Sequence, residues 1–244
     1  MLTTDTDRLS GLTRKLDRLS PLAATDREII SRLPSRMQEV RSQKWIIREG
    51  GAITECCILL QGFACRQKLT NNGGRQIVSF HMPGDILDVQ HLWFAVADHN
   101  VEMVTNGLLA FIPVEELREA SLRSPTIAQA LWRDALTDAS IFREWVLNVG
   151  RRDATTRVAH MLCEFAARRE AAGLGSPESF ELPMTQQDIA DATGLTSVHV
   201  NRTLRSLESA QILRREGARE IRIADWPKMQ RYADFSPEYL HIAA

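Results

Sequence analysis

Arginine side chains are concentrated near the end of the chain, where they outnumber the acidic ones. Residues 202–222 hold six arginines and three glutamates. Guanidinium groups pair well with phosphate oxygens, so this local excess suits contacts with a nucleic-acid backbone. The whole chain of 244 residues has 30 Lys+Arg and 31 Asp+Glu, a formal net charge of -1. The charge pattern therefore predicts one basic face on a nearly neutral body.

The segment just before these arginines has the signals of two short helices joined by a tight turn. Asp188 lies three residues after Thr185, which is a capping-box pattern at the start of a helix. Gly194 suits the turn, and Thr196 or Ser197 caps the second helix. The inward residues of that helix recur at spacings of four and three: Val200, Leu204 and Leu207. This pattern predicts a helix-turn-helix.

A hairpin pattern follows the second helix. The patterns of residues 212–215 and 220–223 predict two strands, and the segment 216–219 between them contains a glycine suited to a turn. An isolated helix-turn-helix pattern is often only an ordinary α-hairpin. The added hairpin, a wing, and the arginine excess favour DNA binding instead.

The first half of the chain has the pattern of short strands. Apolar runs and alternating segments between about 38 and 114 are separated by Gly-, Asn- and Pro-containing turns, which predicts a small β barrel or roll. The first 20 or so residues are polar, so we expect them to be mobile or a weak helix.

A long helix is predicted from Pro125 to about Val149. Its apolar residues recur at spacings of three and four: Ala128, Leu131, Ala135, Ala139, Phe142, Val146 and Val149. Such a stripe fits the seam of a dimer or the core of the same chain, and periodicity favours neither. The triplet 150–152 suits a hinge.

Taken together, the order of these parts resembles the Crp/Fnr superfamily of bacterial transcription regulators. The resemblance covers roughly Pro21 to Asp225. The segments that carry it are Ile58–Gly62, Phe80–Asp85, Met184–Leu207 and, most specifically, Gly194–Arg202. It implies an α+β fold with an N-terminal β-roll (a cyclic-nucleotide-binding-like jelly roll), a long dimerisation helix and a C-terminal winged helix-turn-helix. The predicted domains are residues 20–124, 125–150 and 151–244.

The effector position departs from the cyclic-nucleotide members of the family. In those members, a Glu binds the ribose hydroxyl and an Arg binds the cyclic phosphate. Our alignment places Val89 and His99 at these two positions, so we expect neither cyclic AMP nor cyclic GMP to bind with useful affinity. The candidate effector pocket comprises Asp88, Val89, His99 and Asn100.

The recognition helix departs as well. Many relatives have Glu four residues before the arginine that reads guanine; here that residue is Val198, which can contact a thymine methyl but cannot accept from cytosine. Arg202 keeps the position used on guanine. The candidate DNA-contacting residues are Thr196, Ser197, Val198, His199, Asn201, Arg202, Arg205, Arg215 and Arg219.

The sequence predicts no cofactor, metal site or enzyme activity. Four cysteines, the first of them Cys56, do not match an N-terminal iron–sulfur cluster, and Cys56 and Cys57 would point to opposite faces of a strand. We expect ordinary buried thiols. A haem-, metal- or thiol-redox-dependent sensor with DNA binding as its output is the alternative. Nucleophile-elbow, P-loop and dinucleotide motifs are absent from the sequence.

The resulting hypothesis is a sequence-specific transcription regulator, an activator or a dual regulator. It acts as a homodimer on a palindromic site in double-stranded DNA, with RNA polymerase as a partner and an unknown effector. The start of the chain has no signal-peptide pattern and no apolar run spans a bilayer, so a cytoplasmic location without membrane association is expected.

Overall fold

The computed structural model describes residues 8–217 and 219–242, and it divides the chain into two compact units. The first unit contains residues 8–67, Phe80–Ala139 and Ile242. The second contains Lys68–Ser79 and Ser140–His241. The predicted fold class, a β-roll, a long helix and a winged helix-turn-helix, is confirmed.

Two helices precede the roll: α1 (Ser10–Leu19) and α2 (Ala24–Ser31). The described part of this segment is helical, so of the two expectations for the start of the chain, mobile or a weak helix, the helix is the one observed there. Leu12 and Leu16 are fully buried in the core of the first unit. Lys15 lies between two carboxylates, with Nζ 2.8 Å from Asp85 and 2.7 Å from Asp134. These tertiary contacts stabilise a helix that the polar composition of the segment predicts to be weak.

The roll consists of two antiparallel sheets. One has the order β1-β7-β3 and the other the order β2-β6-β4-β5. The strands are β1 (Arg36–Val40), β2 (Trp45–Ile47), β3 (Glu55–Gln61), β4 (Ala64–Leu69), β5 (Arg75–His81), β6 (Asn100–Met103) and β7 (Gly107–Pro113). Cys56 and Cys57 belong to two different apolar clusters, as expected for neighbours on a strand. The space between and behind the sheets is filled by aliphatic side chains.

Two helices follow the roll: α3 (Val114–Arg123) and the 27-residue α4 (Pro125–Arg151). The apolar stripe predicted on α4 is only partly an exposed face. Leu131 is 4% exposed and packs in the core, whereas Trp132 and Leu136, outside that stripe, are 62% and 60% exposed. Helix α4 ends at Arg151, within the triplet 150–152 predicted as a hinge, and Asp153 caps the next helix.

The second unit is built on α5 (Ala154–Ala171), which packs against the two helices of the helix-turn-helix. These are α6 (Gln186–Thr193) and α7 (Ser197–Ser209). A small sheet of order β8-β10-β9 forms the wing, from β8 (Ser179–Glu181), β9 (Arg214–Glu216) and β10 (Glu220–Arg222). Helix α8 (Trp226–Tyr232) and a short 3-10 helix, Pro237–Leu240, follow.

Candidate nucleic-acid interface

The first helix of the motif, α6, begins with a reciprocal cap. The Thr185 hydroxyl accepts from the Asp188 amide at 3.1 Å, and the Asp188 carboxylate accepts from the Thr185 amide at 2.9 Å. These two bonds give acceptors to two backbone amides that the helix itself leaves without one. The predicted capping box is confirmed by this geometry.

The turn depends on a glycine and on an arginine from α5. Gly194 ends α6 with φ +65°, a conformation that a side chain disfavours. Arg157 donates to the carbonyl of Thr193 at 2.8 Å and so holds the last residue of α6. The angle between the two helices is therefore set partly by α5, which the sequence pattern did not indicate.

The second helix, α7, is capped by Thr196, whose hydroxyl accepts from the His199 amide at 3.2 Å. The predicted inner residues Val200, Leu204 and Leu207 are buried. Val198 is 79% exposed, although it is apolar. An exposed apolar side chain at the start of a recognition helix is suited to contact with another surface rather than to the core of this one.

The structure places nearly all the predicted DNA-contacting residues around one end of α7 and the wing. Arg202 and Arg205 are exposed on α7, and Arg219 is exposed at the wing turn. Within the described part of the chain, the Arg202 side chain makes no hydrogen bond or ion pair. Its guanidinium is available to an external acceptor.

Two of the predicted contacts are engaged inside the protein. Asn201 donates to the side chain of Gln186 on α6 at 3.2 Å. Arg215 forms a two-pronged ion pair with Glu208, at 3.0 and 2.5 Å. The hydrogen bonds from Arg215 lower the pKa of Glu208, and the same pair raises the pKa of Arg215. Glu208 and Gln186 are site residues that sequence reasoning missed, although the mixed signs of Glu208 and Arg215 at close spacing were a usable signal.

The candidate effector residues lie in the roll and are buried. Asp88 accepts from the Cys57 amide at 3.2 Å, and Asn100 accepts from the Glu49 amide at 3.0 Å. His99 contacts Asp98 at 2.6 Å, and burial is the main reason that its pKa is lowered. Val89, at 9% exposure, belongs to the apolar core. These side chains therefore already serve the packing of the roll.

A histidine outside the predicted pocket joins this group. The ring of His91 stacks on that of His99 with centroids 5.7 Å apart, and its Nδ1 lies 3.3 Å from Asp88. Arg66 approaches from β4, where it donates to the carbonyl of Leu87 and pairs with Asp138. An arginine is therefore present in the roll, but it is held by a carboxylate of the same chain.

The cysteines and the potential metal ligands bear on the alternative of a redox- or metal-dependent sensor. The four cysteines are buried and unbridged, and burial raises the pKa of Cys56, Cys57 and Cys163. Among the described residues, no group of three or more His, Cys, Asp or Glu is arranged to hold a metal ion. None of the described helices is long and apolar enough to cross a membrane.

Two aromatic side chains that closely follow Asp88 and Val89 in sequence lie on the surface of the first unit. Leu92 is buried, but Trp93 and Phe94 are 59% and 66% exposed. The guanidinium of Arg118 lies 5.7 Å from the centre of the Trp93 ring.

Comparisons with known proteins agree with this architecture. A model described as the Crp-like helix-turn-helix domain matches residues 156–232, and one described as the cyclic nucleotide-binding domain matches residues 37–124. The nitrogen fixation regulation protein FixK of Rhizobium meliloti is 30% identical over 182 residues, which is 73% of this chain and 78% of that protein. The transcriptional activator protein FnrL of Cereibacter sphaeroides is 26% identical over 187 residues, 75% of each.

A solved structure is similar over most of the chain. The structure of FixK2 from Bradyrhizobium japonicum has a TM-score of 0.76 and 25% identity, and the match covers 84% of this chain and 100% of that one. The relatives are transcription regulators rather than enzymes. On the strength of the FixK match and both domain matches, the chain belongs to the Crp/Fnr family of transcription regulators with a DNA-binding helix-turn-helix.

Proposed function

We propose that the chain acts as a homodimer on a palindromic site in double-stranded DNA, with α7 of each protomer in the major groove. The observation that carries this proposal is the exposed face of α4. Trp132, Leu136, Val146 and Leu147 are large apolar residues, 44–74% exposed, on a helix whose other face is in the core.

Three of these residues, Trp132, Leu136 and Val146, fall on one stripe, and Leu147 lies beside it. Counted from Trp132, positions 136, 139, 143, 146 and 150 follow at alternating steps of four and three, which is the repeat of a two-helix seam. Ala139 is small and Arg143 is exposed, so both suit the crossing and edge of such a seam. The helix is about 40 Å long at 1.5 Å per residue, enough for several layers of contact.

The dimer is tested by analytical ultracentrifugation of Leu136→Glu, with Phe94→Glu as the matched control. Both side chains are large, apolar and similarly exposed, but only Leu136 lies on the α4 stripe. Leu136→Glu should give a monomer at micromolar concentration, and Phe94→Glu should leave the dimer intact. A wild-type monomer, or a dimer in both variants, would contradict the proposed seam.

The roles that we propose for the residues of α7 and the wing follow from their exposure and from the hydrogen bonds that they already make. We assign base contacts to Val198, His199 and Arg202, and backbone contacts to Thr196, Ser197, Arg205 and Arg219. Asn201 and Arg215 keep a supporting role through Gln186 and Glu208, with which they already pair. Val198 favours a thymine methyl at its base pair, because it has no acceptor for cytosine N4.

Site selection from random DNA followed by anisotropy titration tests this assignment. Arg202→Ala should cost about 1–3 kcal/mol on the selected site and relax the preference at one base pair. Arg205→Ala should weaken binding on all sequences alike and reduce the salt dependence by about one unit of slope. Equal effects of the two variants on selected and random DNA would remove Arg202 from base reading.

Effector control is proposed at Asp88, Val89, His99 and Asn100, without cyclic nucleotides as ligands. The support is that Val89 and His99 cannot replace a ribose-binding Glu and a phosphate-binding Arg, while Arg66 is paired with Asp138. Calorimetric titration with cyclic AMP and cyclic GMP should show no binding in the micromolar range; micromolar binding would contradict the proposal.

The remaining assignments depend on the same function. A regulator of this type works where bacterial DNA lies, so we place it in the cytoplasm, with RNA polymerase as the partner of an activator. The proposed domains are residues 20–124, 125–150 and 151–244.

A further inference from the structure

Residues 233–241, close to the end of the described chain, lie across the junction of α4 and α5; we call this segment the C-terminal strap. It follows α8 through Asp234, whose φ of +49° turns the backbone. Phe235 and Leu240 are 8% and 2% exposed. The segment starts just beyond residue 232, where the match to the Crp-like domain ends.

A histidine of α5 is enclosed by the strap. His160 is 1% exposed, and its Nδ1 lies 3.2 Å from the backbone carbonyls of Ala233 and Asp234. Its Nε2 lies 3.2 Å from the hydroxyl of Tyr239, and the two rings stack 6.0 Å apart. Phe235 packs edge-on against the same imidazole, with centroids 5.3 Å apart.

The Tyr239 hydroxyl connects the strap to both helices through one buried carboxylate. It donates to Glu164 of α5 at 2.8 Å, and the indole of Trp145 on α4 donates to both oxygens of Glu164 at 3.0 Å. Glu164 is 2% exposed, and burial is the main reason that its pKa is raised. The Tyr239 hydroxyl and the Trp145 indole therefore both donate to the Glu164 carboxylate, which is buried away from water.

A second connection lies at the junction itself. Arg152 is the residue between the end of α4 and the cap of α5. It donates to Glu144 of α4 at 2.6 Å, to the Asp234 carboxylate at 3.1 Å and to the Asp234 carbonyl at 3.1 Å. Further along α4, the ring of His241 lies 3.3 Å from the Ser140 hydroxyl. The strap thus contacts α4 and α5 on both sides of the junction.

We propose that the C-terminal strap fixes the angle between the end of α4 and the start of α5, and that Tyr239 is a positioning residue for DNA recognition. Helix α5 packs on α6 and α7, so its direction sets the direction of the recognition helix. The inference rests on the proposed function, because two recognition helices must meet half-sites at one spacing.

The test uses the full chain with Tyr239→Phe, which removes one hydroxyl and keeps the ring. The control is Tyr232→Phe, at the only other tyrosine of the chain, which is 38% exposed on α8. A second variant, Asp234→Asn, weakens the Arg152 connection while retaining a residue that tolerates positive φ. Amide hydrogen exchange is followed in residues 145–165. Affinity is measured on the selected site and on versions with one base pair added to or removed from the centre.

Tyr239→Phe should speed exchange in residues 145–165 by about tenfold, the value of one hydrogen bond to a charged acceptor. Wild type should bind the selected site more tightly than the sites with one base pair added or removed, and Tyr239→Phe should reduce this ratio of affinities several-fold. Loss of stability alone would not change the ratio. Asp234→Asn should act in the same direction and Tyr232→Phe should resemble wild type. Unchanged exchange, or equal losses at all three spacings, would overturn the proposal. If wild type has no spacing preference, the proposed dimer fails, and the exchange result alone decides whether the strap holds the junction.

Discussion

The ion-pair cluster around Lys15 offers the sharpest test of how the first unit is held together. Lys15 of α1 lies 2.8 Å from a carboxylate oxygen of Asp85, in the turn after β5, and 2.7 Å from one of Asp134 on α4. The three side chains are 18%, 9% and 10% exposed. At an effective dielectric constant of about 20, each contact is worth about 6 kcal/mol before desolvation. Most of this gain offsets the cost of burying three charges.

Lys15→Met keeps the length of the side chain and leaves the two carboxylates facing each other. Removing one partner of a buried ion pair costs about 3–5 kcal/mol, because the remaining charge has no compensation. We therefore expect the free energy of unfolding of the first unit to fall by that amount at pH 7 in urea titrations. The matched control is Arg27→Met, which breaks the pair with Asp17; with side chains 52% and 35% exposed, its loss should stay below about 1 kcal/mol.

The pH dependence gives the reasoning a second check. Burial raises the pKa of Asp134 even with Lys15 present, and losing the lysine removes the attraction that opposes this shift. A carboxyl with a raised pKa in the folded state takes up its proton before the unfolded chain does, so the folded state gains relative stability as the pH falls. The deficit of Lys15→Met should narrow between pH 7 and pH 5. A variant within about 0.5 kcal/mol of wild type at pH 7, or a deficit that widens in acid, would refute this account.

Three further predictions concern single side chains. Burial lowers the pKa of His81 to about 4, so as the pH falls the unfolded chain takes up this proton before the folded protein does. The folded protein should therefore lose about 3 kcal/mol of stability between pH 6.5 and 4. Urea titrations of His81→Gln should lack that loss, and parallel pH profiles of the variant and wild type would contradict the prediction. Leu12→Ala should destabilise by about 2–5 kcal/mol, whereas Leu122→Ala, at a 72% exposed position, should change stability by less than about 0.5 kcal/mol, as measured by thermal unfolding; equal effects would mean that α1 is not part of the core. Iodoacetamide should label the buried thiols, Cys56 among them, at least about tenfold more slowly in the native protein than in urea; rapid native labelling would revive the thiol-sensor alternative.

The helix-turn-helix was predictable because its signals are local. The cap formed by Thr185 and Asp188, the positive φ of Gly194 and the cap at Thr196 each involve residues within three or four positions. Local geometry of this kind depends little on the rest of the fold. The inward spacing of Val200, Leu204 and Leu207 follows from the helical period alone.

The exposed face of α4 could not be predicted in the same way. Periodicity shows that a helix has apolar positions, but not which of them the roll covers. Here the first unit covers Ile127, Ala130 and Leu131, so the stripe predicted through Leu131 is shifted from the one that contains Trp132 and Leu136. The same limit explains Trp93 and Phe94, whose apolar character was no guide to their burial.

The sequence by itself determined the order of the parts, the helix-turn-helix with its caps and the outward position of Val198 and Arg202, because each depends on near neighbours in the chain. Only the tertiary structure decided that α1 belongs to the core, that Arg215 is held by Glu208, and that residues 233–241 enclose His160 and Glu164. Most of those contacts join residues far apart in sequence. In each case several side chains of the same charge or polarity could be the partner, and only the folded structure shows which one lies within reach.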